Sequence, residues 1–327
     1  MIALAVFVAV LLAASLPPGA AILAWLDRDG AIVRRGDRLL LALWLGLLAG
    51  GTALLAAALF VPLALPALAV YVGAGLAFLA PARVRAEAGG LLAGVPRAAW
   101  GAAALLLAVT AVIGSGVINN RDSINYQHDM IQWLSDTGIV PGLGLFNPGF
   151  GVLSVQLTFA AIVNHGWMEA RAGALPNAIV LFLALLHVGL VLARLLGRRG
   201  RPADVFLAVT LPLAMVLPLA WKVPASVSPD FPAVVLSVVC AWSFLVVSRP
   251  GAADAALVPV LLAAGAVLGK VSAIPLLAVA GVHWLTRRPG PGAWGRAIVC
   301  GVCTAVPWMA GMTDRKSTRL NSSHVSQ

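Results

Sequence analysis

The chain has 327 residues, 61% hydrophobic and 10% charged, with 22 Lys and Arg against 12 Asp and Glu for a formal net charge of +10. Soluble domains are about one quarter charged, so a mean hydropathy of +0.97 excludes an ordinary water-soluble domain and points to an integral membrane protein. The positive balance does not argue for nucleic acid, because the basic residues sit in short clusters between apolar runs, as topology signals do, rather than along one soluble face.

Crossing a hydrocarbon core of about 30 Å takes about 20 helical residues, and apolar runs of about that length recur along the chain. Backbone groups in lipid must be hydrogen-bonded within their own segment, and the runs lack the alternation of barrel strands. The sequence therefore predicts an all-α polytopic fold. The first run, Ile2–Leu26, has no basic residues ahead of it and more spans behind it, so it reads as a retained helix rather than a cleaved signal. The apolar text that follows is too long for one crossing, and Pro62 and Pro66 mark a hairpin between spans at 39–60 and 61–80. A fourth span covers 99–118. After a polar stretch at 119–150, residues 151–165 are apolar but broken by Ser154, Gln156, Thr158 and Asn164, which suits an interfacial or re-entrant helix.

Further spans follow at 174–196, 203–220, 231–248, 255–269, 271–285 and 297–313, about ten in all. The pair around Lys270 is short on both sides, and Pro259, Gly265 and Pro275 are equally compatible with one bent, tilted helix. Cys240, Cys300 and Cys303 all lie in apolar text, so the Cys300-x-x-Cys303 spacing reads as packing rather than a disulfide. The chain divides into three N-terminal spans (1–98), a core with its polar outer loop (99–313) and a distinct tail (314–327). That tail lacks aromatic residues and is rich in Ser, Arg and Asn. It resembles the translated adapter sequence found at broken ends of metagenomic contigs, with the expectation that the natural protein continues.

Fifteen Lys and Arg fall in one alternating set of loops and four, Arg121, Arg171, Lys222 and Lys270, in the opposite set. The positive-inside rule places the first set in the cytoplasm and the 119–150 loop outside, provided that 151–165 does not cross. In this loop a helix over 123–135, closed by Gly138, puts Asp122, Tyr126, Asp129 and Trp133 on one face. Acidic and aromatic groups together suit a sugar, since carboxylates accept its hydroxyl hydrogens and rings pack on its C–H faces. Simpler roles stand beside this: Asp122 as a helix cap, Tyr126 and Trp133 as interface anchors, and His128 and His165 as satisfied polar contacts rather than metal ligands. Asp230 opens a span, where capping is again an alternative. Lys270 lies in apolar text and needs a cavity, a partner or the outer interface, because a charge at the bilayer centre costs about 2.5–3.5 kcal/mol.

Several ordered pieces resemble the GT-C-type membrane glycosyltransferases, within a poorly characterised bacterial branch. They are Asp122-Ser123-Ile124-Asn125-Tyr126-Gln127-His128 through Trp133, then Gly138-Ile139-Val140-Pro141-Gly142-Leu143-Gly144, Arg171 ahead of the next span, Ser228-Pro229-Asp230, Lys270-Val271-Ser272-Ala273-Ile274-Pro275 and Pro307-Trp308-Met309. The resemblance implies a multi-pass protein of the bacterial cytoplasmic membrane that takes a sugar from a polyprenyl-phosphate donor to a glycan or lipid acceptor hydroxyl on the outer face. It implies Asp122 as the catalytic residue, a general base or a carboxylate that orients the acceptor, with Tyr126, His128, Asp129, Trp133, Arg171, Asp230 and Lys270 around the substrates. The acidic residue is followed by Ser rather than a second carboxylate, which leaves metal use open: no cofactor follows from the residues, and a divalent metal is compatible with the family. A lipid-linked oligosaccharide polymerase or ligase uses similar substrates and outer loops; a transporter or flippase of envelope precursors instead predicts inverted repeats and interrupted helices, of which the sequence shows no repeat and one candidate break at 265–275.

Overall fold

The computed structural model describes residues 1–118, 120–140, 142–143, 153–169, 171–247 and 252–325, with side chains as far as Met312. Among these residues the chain is all-α, with short π and 3-10 turns and no strand. The first helix, α1 (Ile2–Leu26), coincides with its apolar run. It is crossed by α2 (Arg35–Ala58) at a contact between backbones. A Cβ on Gly19 would lie 1.8 Å from the Ala42 carbonyl oxygen, and one on Gly46 1.8 Å from that of Ser15. Small residues permit this close approach, which in lipid gives packing that water-driven burial does not supply.

The third predicted span is shorter than its text. Helix α3 (Leu65–Ala77) has 13 residues, a length of about 20 Å, and α4 (Ala82–Ala93) turns away from it by 95°. Pro81 stands at the N-cap of α4 and biases Ala80 away from helical backbone, which separates the two. Helix α3 is held to α1 by a 2.6 Å hydrogen bond between the Tyr71 and Ser15 hydroxyls.

Helix α5 (Arg97–Gly114) leads to a π-helical turn, Ser123–Gln127, that continues into α6 (His128–Asp136). The apolar text at 151–165 forms α7 (Val155–Ala161), whose seven residues are all buried. At about 10 Å it does not cross, and it packs against α2, α6 and its successor α8 (Leu175–Leu196) as a buried support rather than at an interface. The remaining helices are α9 (Pro202–Ala220), α10 (Asp230–Val246), α11 (Leu257–Gly269), α12 (Ile274–Thr286) and α13 (Pro291–Val325). Lys270 and a 3-10 turn at Val271–Ala273 separate α11 from α12, and these two pack on each other, so the text around Lys270 makes two helices rather than one bent one.

Apolar helices thus occupy all ten predicted places, but among the described residues six are long and apolar enough to cross a membrane: α1, α2, α5, α8 with its preceding turn, α9 and the Pro291–Met312 part of α13. The bent α3–α4 pair makes a seventh, and α10, α11 and α12 are shorter. Helix α13 runs on to Val325, through the stretch that the sequence sets apart. The three cysteines are unpaired.

Charges sort to the two ends of this bundle. At one end three buried carboxylates, Asp27, Asp37 and Asp204, are satisfied by guanidinium groups. Arg194 donates to Asp37 at 2.5 Å and to Asp204 at 3.0 Å, and Arg34 reaches Asp204 at 2.5 Å. Arg38 pairs with Asp27 and, at 2.7 Å, with Glu87 of α4. Arg296 pairs with Asp254 and lies 5.9 Å from the Trp25 ring centroid. Breaking such buried pairs leaves an uncompensated charge, so this network fixes the helix ends in register. Asp122, Arg171, Asp230 and Lys270 all lie at the other end.

Candidate functional site

The polar end is assembled by hydrogen bonds that tie three loops together. Asn120 Oδ1 accepts from the backbone N–H of Asp122 at 2.9 Å and of Ser123 at 3.3 Å. Asn120 therefore does the capping that the sequence assigned to Asp122, whose side chain caps nothing and is exposed. Ser123 Oγ donates to Gln127 Oε1 at 2.9 Å and accepts from Val227 N–H at 3.2 Å, which docks the Asp122 turn on the loop before α10.

A third strand of chain completes the contact. A Cβ on Gly173 would lie 2.4 Å from Val227 Cγ2 and 3.0 Å from His128 Cε1, so the turn after Arg171, the 226–228 loop and the start of α6 meet at one point. From beneath, the fully buried Asn177 of α8 donates its Nδ2 hydrogens to the carbonyls of Val223 at 3.2 Å, Ser226 at 2.8 Å and Ser228 at 3.1 Å. Asn177→Ala leaves those carbonyls short of a donor and should lower stability by about 1–3 kcal/mol. Thermal unfolding in detergent checks this against Asn125→Ala, an exposed control expected within about 0.5 kcal/mol of wild type.

Asp230 begins α10, with Ser228 Oγ donating to its Oδ2 at 3.2 Å, and its other carboxylate oxygen takes the Lys270 ammonium. Lys270 thus has a partner at the break between α11 and α12. Both side chains keep about half their exposure, 43% for Lys270 and 54% for Asp230, so the pair is worth about 0–1 kcal/mol and opens readily. Gln156 of buried α7 approaches the same break, since a Cβ on Gly269 would lie 2.9 Å from its Nε2.

Tyr126 is half-buried, and its phenol is pushed up by burial and then by the Asp122 carboxylate, against a hydrogen bond with Gln127. It stays protonated at neutral pH and remains a donor beside Asp122. Burial pushes the His128 imidazole down, with Asp129 opposing, so His128 is neutral at pH 7. Asp129 is exposed and Trp133 half-buried. The predicted single stripe of Asp122, Tyr126, Asp129 and Trp133 is offset, because the π turn advances by fewer degrees per residue than an α-helix. Gly138, at φ +82°, ends α6 as expected, its N–H donating to the Trp133 carbonyl at 3.0 Å. Ile139 N–H then bonds the Ala58 carbonyl at 2.7 Å, which anchors this end of α6 to α2.

Arg171 is exposed beside this assembly. The Pro-Gly turn expected at 141–149 lies outside the described residues apart from Gly142 and Leu143. Among the described residues no three His, Cys, Asp or Glu gather as metal ligands, and no step is assigned to a metal. Sequence reasoning missed Asn120, Ser123 and Asn177. A signal for Asn120 existed, since Asn is as good an N-cap as Asp.

A family model described as "Domain of unknown function (DUF8201)" matches residues 1–311, and the chain belongs to that family. The match stops ahead of the distinct tail at 314–327. No curated protein and no solved structure matches the chain.

Proposed function

We propose that this member of the DUF8201 family is a multi-pass protein of the bacterial cytoplasmic membrane whose polar end faces outward. There it transfers a sugar from a polyprenyl-phosphate donor to the hydroxyl of a glycan or lipid acceptor. The observation that carries the reading is the meeting of Asp122's turn, the Arg171 turn and the Ser228–Asp230 loop, itself paired with Lys270, at the end opposite the arginine network. The excess of Lys and Arg in the other set of loops supports the orientation.

In this reading the acceptor oxygen bonds to the anomeric carbon as the bond from that carbon to the donor phosphate oxygen breaks. Asp122, exposed and not engaged as a cap, takes the acceptor's proton. Tyr126 donates to a sugar oxygen, and His128, Asp129 and Trp133 line the approach. Lys270, released from its weak pair with Asp230, meets the charge left on the polyprenyl phosphate, with Arg171 nearby.

The test is turnover by the full chain in lipid nanodiscs supplied with radiolabelled polyprenyl-phosphate sugars and a panel of acceptors. The reading expects labelled acceptor and free polyprenyl phosphate. A second reading, a transporter of envelope precursors, takes support from the charged break between α11 and α12. It expects unchanged substrate carried across sealed vesicles, and that result without turnover would replace the transferase.

A further inference from the structure

At the outer end of α9 the chain forms a recess of about 320 Å³ lined by Asn120, Ala220, Trp221, Lys222 and Val223. This volume is at the small end of the ~300–1,000 Å³ range of small-molecule sites. We propose that the recess binds a sugar-sized polyol carrying an anionic group. As a ligand site it stands apart from the transferase reading; only its use for an acceptor rests on that reading.

Each wall supplies a different element of such recognition. Trp221 is 69% exposed and offers an indole face to C–H groups. Lys222 is exposed and makes no ion pair among the described residues, so its ammonium is available to a phosphate or carboxylate. Asn120 spends its Oδ1 on the Asp122 and Ser123 N–H groups, which leaves its amide nitrogen as a donor toward a hydroxyl.

Lys222 has φ +55°, the left-handed residue that ends α9, as Arg198 and Arg288 end α8 and α12. Here Lys222 N–H bonds the Leu219 carbonyl, the Lys222 carbonyl accepts from Ala225 N–H, and Asn177 grips the next carbonyl, that of Val223. The backbone that carries Trp221 and Lys222 is therefore anchored at the rim of the recess. Asn120 also belongs to the Asp122 turn, so a ligand in the recess lies beside the proposed catalytic carboxylate.

The anionic polyol has two possible sources, a sugar in solution or the headgroup of an anionic lipid. Glucose 6-phosphate, glucose and phosphatidylglycerol are the probes, the first two by saturation-transfer NMR on the detergent-solubilised full chain and the last by native mass spectrometry. Lys222→Gly removes the charge and relaxes the left-handed residue, so it stays folded; Trp221→Ala removes the stacking face.

Glucose 6-phosphate should bind wild type far better than glucose, at least about tenfold more weakly to Lys222→Gly, and several-fold more weakly to Trp221→Ala. Failure of glucose 6-phosphate together with Lys222-dependent retention of phosphatidylglycerol supports the same chemistry with the lipid as its source. If neither probe distinguishes wild type from Lys222→Gly, the proposal is overturned. Asp122→Asn, which takes a negative charge away from beside the recess, should not weaken this binding, and that separates failure of the recess from failure of the transferase.

Discussion

Replacing Asp122 with Asn in the full chain should slow sugar transfer by about 10²–10⁴-fold, the contribution of a positioned general base. The substitution keeps the size and polarity of the side chain and removes only its ability to take a proton. Asp122 is exposed, and the capping of its turn comes from Asn120, so the fold has no reason to change. The loss should therefore appear in kcat with thermal stability unchanged, a pattern that a structural carboxylate would reverse. Because the neighbouring Tyr126 phenol feels the Asp122 charge, its titration should move down in the variant, read by ultraviolet difference absorbance. Undiminished transfer would remove Asp122 from the chemistry.

The largest structural effect belongs to Gly46. A Cβ there would lie 1.8 Å from the Ser15 carbonyl oxygen and 2.7 Å from its carbon, and both are backbone atoms that no rotamer change can clear. Helices α1 and α2 would have to separate, opening the most extensive helix pair in the bundle. Gly46→Leu should cost more than about 3 kcal/mol, beyond the usual range for overpacking, and abolish monodisperse protein after detergent extraction. Gly73→Ala is the control, because a Cβ at that exposed position meets nothing within 4 Å. It should be neutral or stabilise by up to about 1 kcal/mol through helix propensity. Equal behaviour of the two variants in size-exclusion chromatography and thermal melts would contradict the crossing.

The all-α class was readable because apolar helices in lipid leave an unmistakable composition, and α1 was placed to the residue for the same reason. Where the text departed from the structure, the cause was length or local chemistry. Residues 61–80 looked like a full span because hydropathy does not register that Pro81 turns the chain by 95°. Residues 151–165 read as an interfacial or re-entrant helix; α7 does not cross, and Ser154, Gln156, Thr158 and Asn164 are buried against protein rather than at an interface.

The candidate site was legible as a set of charged residues but not as an assembly. Asp230 and Lys270 stood out as charges in apolar text, yet their pairing depends on α10, α11 and α12 meeting at one end, which no local pattern encodes. Asn177 sits near the start of the span expected at 174–196, where a polar residue looks like an ordinary interface residue. Its three bonds come from a loop some forty to fifty residues away.

The side of the membrane on which Asp122 stands underlies the proposed chemistry, and accessibility to a membrane-impermeant thiol reagent measures it. In intact cells expressing a chain with Cys240, Cys300 and Cys303 replaced by Ala, a cysteine at exposed Asn125 should be labelled, and one at exposed Arg198, at the arginine end, should be labelled only after lysis. Labelling of position 198 but not 125 in intact cells would turn the protein over and contradict transfer at the outer surface.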